Sequence, residues 1–350
     1  MKGLMRINRR NGIRPEPVVT LKHVAERVQL SPGTVSAVLN DSPSAKHIPE
    51  STRNRIVAAA RELKYKPNFI ARSLRHKRTY TIGVIPTDIG DGYSGLVIAG
   101  IEDYLRQKDY FFITGIHRHD PELFKKYSTL LLERGAEGVI TVDLNLQHSI
   151  HVPIVAVSGH RQEEGATNVV LDQHRAARMA MQHLISLGHR DIAVMIGNPN
   201  SSDAVERWRA ISRVAGELGV PIRPELTVQL AGEELGPALG YPYAKKLLAR
   251  KRHFTALFAY NDISAIGAIR AFREAGLLVP RNISVVGFDD IQGAAFHYPS
   301  LTTVRQPLRR MGEIAARTLL DRIEGLQNWP KQIDIEPELI IRESTAKAAV

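Results

Sequence analysis

The stretch TLKHVAERVQLSPGTVSAVLN, residues 20–40, decides how the first part of the chain is read. Leu21, Val24, Ala25 and Val28 recur at the spacing of one helix face, and Thr20 stands where a cap belongs. Gln29–Leu30 makes a short turn before a second start signal. There Ser31 can cap, and Pro32 takes the first helical position, where its missing N–H costs nothing. Val35, Val38 and Leu39 supply the apolar stripe of this second helix, and a third is expected from Pro49 with Ile56, Val57, Ala60 and Leu63 on one face. Two short helices across a tight turn form a helix-turn-helix pattern. In that geometry the second helix enters the DNA major groove N-terminus first. The residues expected on its exposed face are Ser31, Pro32, Gly33, Thr34, Ser36 and Ala37. Thr34 and Ser36 can bond phosphates or base edges; the same hydroxyls could equally serve as plain helix caps.

Charge points to the same segment. Residues 1–78 hold 17 Lys/Arg against 5 Asp/Glu, a net +12, whereas the other 272 residues are net −1. A polyanion partner for the first quarter follows, because each phosphate contact releases condensed counterions; a solvated basic tail is the plainer alternative. At 350 residues and 43% hydrophobic, the chain can form two or three domains with a buried core. The absence of cysteine excludes disulfides, thiolate metal sites and cysteine nucleophiles. No apolar run has the length of a membrane span, and residues 1–17 lack the apolar stretch of a signal peptide. The expectation is a cytoplasmic protein with no membrane partner, no metal and no cofactor.

Beyond the third helix comes Tyr65–Lys66–Pro67–Asn68, then Phe69–Ile70–Ala71–Arg72–Ser73–Leu74–Arg75. Asn68 can cap a helix of about two turns, which is marginal by itself in water. Supported by a partner copy and a DNA minor groove, its apolar residues would act as a wedge between base steps; unsupported, the segment is a linker.

The remaining three quarters alternate β-branched runs with helical stretches. Expected strands are Thr81–Ile85, Phe111–Thr114, Gly138–Val142, Ile154–Val157, Val169–Leu171, Ile192–Ile196, Ala256–Ala259 and Ser284–Gly287. Helices are expected near 96–108, 121–134, 173–187, 203–218, 236–250, 262–275 and 308–325. This alternation reads as α/β with parallel sheets. Eight strands are many for one sheet, so two lobes facing each other across a cleft are expected. Ligands of such folds bind at the carboxyl ends of the strands. Asp88, the pair Asn261–Asp262 and the pair Asp289–Asp290 follow expected strands, while Arg207 and Arg209 lie on one helix. Carboxylates accept hydrogen bonds from vicinal hydroxyls, and arginine forks onto oxygen pairs. A strand-end turn is the plainer role for Asn261 and Asp289.

The stretches TLKHVAERVQLSPGTVSAVLN and STRNRIVAAARELKYKPNFIARSLR (51–75) closely resemble the headpiece and hinge helix of the lac-repressor/purine-repressor family. In the later part, AYNDISAIGAIRAFREAGLLVPRNISVVGFDD (259–290) and LTTVRQP (301–307) are the strongest matches. The resemblance implies a basic tail over 1–17, a headpiece over 18–66, a hinge over 67–79 and a two-lobed core over 80–342. That core is of periplasmic-binding-protein type. It further implies DNA contacts from Thr20, Leu21, Ser31, Thr34, Ser36, Asn40, Tyr65, Asn68 and Ala71, with Leu74 matching the leucine that opens the central base step. Pro32 and Gly33 fall at the variable specificity pair, and Ala37 stands where many members have arginine. None of the three has a side-chain donor. The turn Asp41–His47 looks longer than usual and can add contacts from Lys46 and His47.

In the core, the resemblance makes Arg209, Asn261 and Asp289 the central effector contacts, with Asp88, Tyr93 and Ser158 beside them. The usual Asn-Pro-aromatic-aromatic is Asp91–Gly92–Tyr93–Ser94 here, and a glycine expected three residues after the effector arginine is Ser212. The function implied is a sequence-specific transcription regulator, a repressor. Its affinity for a double-stranded operator would change with a small metabolite, a sugar, and it would act as a homodimer. The tail Ile340–Val350 is too short for an added heptad helix. Competing readings are a DNA-binding protein with a ligand-insensitive core, a solute-binding transport protein, and an enzyme. Against the last, His117/His119 and His148/His151 do not match a catalytic zinc spacing and read as scattered surface histidines, and there is neither a P-loop nor a G-x-S-x-G.

Overall fold

The computed structural model describes residues 19–40, 42–66, 73, 78–90, 92–144, 151–161, 163–231 and 238–348. The chain divides into two units, Met1–Thr79 and Tyr80–Val350. In the first, α1 (Leu21–Val28), α2 (Pro32–Leu39) and α3 (Glu50–Glu62) enclose a small core of Val24, Ala25, Val28, Val35, Ile56, Ala59 and Ala60. The turn between α1 and α2 closes on Gln29, whose φ of 56° is left-handed. Ser31 Oγ accepts the Thr34 N–H at 3.1 Å and so caps α2. Arg55 donates to the Val28 carbonyl at 3.0 Å, satisfying the carboxyl end of α1 from α3. A 3-10 turn, Pro43–His47, packs on α2.

Among the described residues, the second unit holds two six-stranded sheets. The first has the order β11-β5-β4-β3-β1-β2 and is parallel throughout. Its strands are β1 (Thr81–Ile85), β2 (Phe111–Thr114), β3 (Val139–Val142), β4 (Ile154–Val157), β5 (Ala166–Leu171) and β11 (Gln332–Ile335). The second sheet has the order β12-β10-β9-β8-β6-β7. It comprises β6 (Ile192–Ile196), β7 (Thr227–Gln229), β8 (Ala256–Phe258), β9 (Ser284–Asp289), β10 (Thr302–Arg305) and β12 (Glu338–Ile340). Among the described residues, its β10–β12 pair alone is antiparallel. The chain therefore crosses between the sheets three times: after β5, after β10 and between β11 and β12.

The helices are α4 (Gly92–Gln107), α5 (Pro121–Glu133), α6 (Gln173–Ser186), α7 (Ser202–Glu217), α8 (Tyr241–Ala249), α9 (Asp262–Glu274), α10 (Gln292–Phe296) and α11 (Leu308–Ile323). All eight strands expected from sequence form. Four more, β7, β10, β11 and β12, escape it because each is a run of only three or four residues with little apolar signal. Among the described residues, no helix is long and apolar enough to cross a membrane. Buried contacts run past residue 342: Ser344 is fully buried, its hydroxyl donates to the Val285 carbonyl at 2.6 Å, and Ala348 N–H reaches Leu187 O at 2.9 Å.

Helices α4 and α11 approach closely because two glycines meet backbone. A Cβ on Gly312 would lie 2.1 Å from Val97 O, and one on Gly100 would lie 1.8 Å from Arg309 O. Gly95, on the open side of α4, has nothing within 4 Å. Gly312→Ala should therefore force the helices apart and cost about 1–3 kcal/mol. Gly95→Ala should stabilise by about 0.5–1 kcal/mol through helix propensity. Urea unfolding of the two variants checks the opposite signs.

Candidate functional site

On the headpiece, Ser31, Pro32 and Gly33 are exposed at the start of α2, with Thr34 half-buried and its hydroxyl 2.8 Å from that of Ser31. Thr20 and His47 are exposed; Leu21, Asn40 and Tyr65 are half-buried. Ser36 and Ala37, expected on the exposed face, are instead buried. Two features account for this. The Asn40 amide folds back to donate to the Ser36 carbonyl and hydroxyl at 2.9 and 3.1 Å. The 3-10 turn lies against α2, with Ser42 N–H on the Ala37 carbonyl at 3.0 Å and Ala45 buried. Asn68, Ala71 and Leu74 lie outside the described residues.

In the core, a cleft of about 710 Å³ opens between the two sheets, within the range of small-molecule sites. Parallel strands aim their carboxyl ends into it from both lobes. Lobe one supplies Thr87, Asp88 and Tyr93 after β1, Arg118 to Asp120 after β2, and Asp143 after β3. Lobe two supplies Asn198 to Asn200 after β6, Asp203 and Arg207 from α7, Tyr260 and Asn261 after β8, and Asp289 at the end of β9. Several of these strand-end residues hold a left-handed backbone: Arg118 at 51°, His119 at 56°, Asp143 at 55°, Ser158 at 55° and Asp289 at 107°. Such conformations cluster where surrounding structure aims a side chain.

The lobes meet at the N-terminal end of α7. Asp143 Oδ1, from lobe one, accepts from the Ser201 hydroxyl at 2.9 Å, the Ser202 hydroxyl at 3.2 Å and the Asp203 N–H at 3.0 Å. A carboxylate there meets unsatisfied backbone donors and the positive end of the helix dipole. Ser202 also donates to the Ser158 carbonyl. His160 Nε2 lies 3.0 Å from Asp203 Oδ1, and Gln173 Nε2 donates to the same oxygen at 2.7 Å. The other Asp203 oxygen pairs with Arg207 Nη2, both side chains being 3% exposed. Arg207 Nη1 donates to the Tyr260 carbonyl at 2.7 Å, Nε to Gln173 Oε1 at 3.3 Å, and the guanidinium lies 3.5 Å over the Phe288 ring.

Electrostatics follow burial. Asp143 is pushed up to about 6 by burial and then by the Asp203 charge, against the hydrogen bonds it accepts. Asp203 is lowered: burial would raise it, but the Arg207 charge and the His160 bond outweigh that. Burial pushes Asp289 well up, although Arg207 and the Gln306 amide, at 2.7 Å from its Oδ1, oppose it. Burial holds His117 and His119 down near 4.

Of the expected effector contacts, Asn261, Asp289, Asp88 and Tyr93 come together on the cleft wall. Ser158 is fully buried behind it, 2.7 Å from the Tyr93 hydroxyl. Asn261 also caps α9 through the Ser264 N–H at 2.9 Å, so the strand-end role and the cleft position coincide. Arg209 is not in the cleft: its side chain is 68% exposed and paired to Glu206. Arg207 occupies the place expected of Arg209. The helix period carries the reason, since Ala204, Arg207, Ile211 and Val214 share the buried face of α7. The histidine reading is corrected for one pair, since His117 is fully buried and His119 lines the cleft; His151 is exposed as expected, and His148 lies outside the described residues. Asp143, Asp203 and His119 carried no motif; Asp203 alone had a signal, as an acid in the first turn of a helix.

A helix-turn-helix headpiece and a two-lobed α/β core open at its strand ends define a ligand-responsive class of DNA-binding regulators. The chain belongs to the lacI family of bacterial regulatory proteins, whose model matches residues 20–68; a periplasmic binding protein-like domain matches residues 181–345. The HTH-type transcriptional repressor PurR of Haemophilus influenzae is 33% identical over 341 residues, covering 93% of this chain and 98% of that one. PurR of Klebsiella pneumoniae is 31% identical, covering 94% and 97%. The Lac repressor dimer bound to operator and the anti-inducer ONPF superposes with a TM-score of 0.85 at 27% identity, over 94% of this chain and 100% of that one. The transcriptional regulator CelR–cellobiose complex gives 0.68 at 27%, over 93% and 99%.

Two measurements test the site as built. Asp203→Ala leaves Arg207 a buried cation without its carboxylate and should cost about 3–5 kcal/mol, whereas Arg209→Ala should change stability by less than about 0.5 kcal/mol. Denaturant unfolding separates them. For His119, a folded pKa of about 4 lies below the unfolded value. The unfolded chain thus takes up this proton first as pH falls. Its contribution is full above about pH 6.5 and is lost down to about 4. The stability of the native chain relative to a His119→Gln variant should therefore decline across that window; a difference that stays constant with pH would show His119 titrating normally in the fold.

Proposed function

We propose that this chain is a cytoplasmic, homodimeric transcription repressor whose operator affinity is set by a small hydroxylated metabolite, most simply a sugar, held between the core lobes. The observation that carries the reading is a helix-turn-helix and a polar strand-end cleft in one chain. Asp289 accepts ligand hydroxyls, Asn261 donates and accepts, and Asp88 and Tyr93 contribute from the other lobe. Arg207 replaces Arg209 as the arginine of the site. On the DNA side, Ser31, Thr34, Thr20 and Asn40 reach phosphates and groove edges, Leu21, Tyr65, Asn68 and His47 flank them, and Ala71 and Leu74 enter the minor groove. With Pro32 and Gly33 at the start of α2 and no side-chain donor on either, shape and phosphate contacts carry much of the specificity. A dimer is supported by exposed aromatics on lobe two, Phe296 at 83% and Tyr298 at 87%, and by the dimeric state of the Lac repressor structure. No catalytic role is assigned to the cleft.

Ligand and DNA must alter each other's affinity by the same factor. An operator selected from random duplexes should bind with an affinity that falls steeply with salt. Leu74→Ala should weaken that operator more than random DNA, since a wedge acts only where the duplex kinks. Asp289→Asn should abolish the ligand response while ligand-free operator binding stays near native. Gel-shift titrations with and without ligand read all three. Operator binding that no metabolite alters would identify a ligand-insensitive core; loss of DNA binding by the ligand-free Asp289→Asn protein would mark Asp289 as structural.

A further inference from the structure

The charge lining the cleft is strongly unbalanced. Five carboxylates, Asp88, Asp120, Asp143, Asp203 and Asp289, share the described wall with two arginines, Arg118 and Arg207. Arg207 gives three of its five N–H groups to its own chain, one each to Asp203, the Tyr260 carbonyl and Gln173, the Phe288 ring covers its face, and its charge is balanced by Asp203. Asp203 is likewise occupied by Arg207, His160 and Gln173. Setting that neutral pair aside leaves four carboxyl groups, Asp88, Asp120, Asp143 and Asp289, against one exposed arginine, and a cation beside Asp143 and Asp289 would favour their ionised forms. Burial pushes both the Asp143 and Asp289 carboxyls up, with the Asp203 charge adding to it at Asp143 and the Arg207 charge opposing it at Asp289.

The hydrogen-bonding demand of the wall has the same sense. Asp88 Oδ1 accepts the Ile89 and Gly90 N–H groups, but its buried Oδ2 has no partner among the described residues. His119 Nδ1 is also buried and unpartnered, while Nε2 of that ring faces Asp143 Oδ2 at 3.6 Å. The buried Asp88 Oδ2, an acceptor in either oxygen's role, therefore calls for a donor. A carboxylate or phosphate on a ligand donates nothing at neutral pH and would meet like charge. An ammonium group offers three donors and the missing charge, and hydroxyls serve Asp289 and Asn261.

We propose that the cleft takes a polyhydroxylated cation, an amino sugar in its protonated form, and rejects acidic and phosphorylated sugars. This rests on the cleft being the effector site. Calorimetric titration of the full-length protein with glucosamine, galactosamine and mannosamine tests it. Each is compared with its parent hexose, its N-acetyl derivative, which removes only the charge, its uronic acid and its 6-phosphate. At least one hexosamine should bind about tenfold or more tightly than its hexose and N-acetyl counterparts. Asp143→Asn and Asp289→Asn, with melting temperatures confirming their folds, should each narrow that preference. A hexose, uronate or sugar phosphate that binds as tightly as its amine, and loses affinity in Asp289→Asn, overturns the charge assignment while leaving the cleft as effector site. A hexosamine whose binding is untouched by both variants places the ligand elsewhere and overturns both readings. No binding by any hexosamine overturns the proposal.

Discussion

The buried ion pair between Asp203 and Arg207 ties the start of α7 to the wall of the cleft. A pair this deeply buried is worth little as net stabilisation, because desolvating two ions cancels most of their attraction. Its value is positional. Asp203 also faces His160 of lobe one, and its own N–H meets Asp143 of lobe one, so the turn that starts α7 is fixed by both lobes at once. Arg207, one helical turn later, inherits that placement and in turn grips the Tyr260 carbonyl beside Asn261. The start of α7 is thus tied to both lobes through buried groups.

Most of the fold was legible because burial has a period. The central strands of the sheets are buried on both faces, and runs such as TIGVI in β1 and IAVMI in β6 announce themselves. Just past the ends of α6 and α9, Gly188 and Gly276 hold φ of 91° and 77°, the left-handed stop that glycine supplies to a helix. The strands that escaped are those whose identity is tertiary. In β11, QIDI is exposed or half-buried at three of four positions, and it becomes a strand only because β5 offers it a free edge. In the headpiece, the caps were readable while the burial of Ala37 was not, since the cover comes from the 3-10 turn that follows.

The site was legible in part, and the division is instructive. Asn261 and Asp289 follow strands, and strand ends face the cleft, so position along the chain was enough to place them. Choosing between Arg207 and Arg209 needed the helix phase: two residues apart on a helix means about 200° of rotation, the difference between the cleft and solvent. Asp143 and His119 had no signature because their chemistry depends on neighbours about 60 and 25 residues away. A sequence shows residue types, whereas a perturbed carboxyl exists only once the lobes assemble around it.

The left-handed backbone at Arg118, His119, Asp143, Ser158 and Asp289 bears on how this protein can be altered. None of these side chains prefers that conformation, and Asp289, at a φ of 107°, lies well beyond where even aspartate is comfortable. A chain drifting freely toward greater thermal resistance would place glycine there. That drift is blocked wherever a side chain has work in the cleft, so the strand ends form a standing reserve of unrealised stability. Descendants of this sequence that have lost ligand sensing would be free to draw on it, and glycines at these positions would mark them as such.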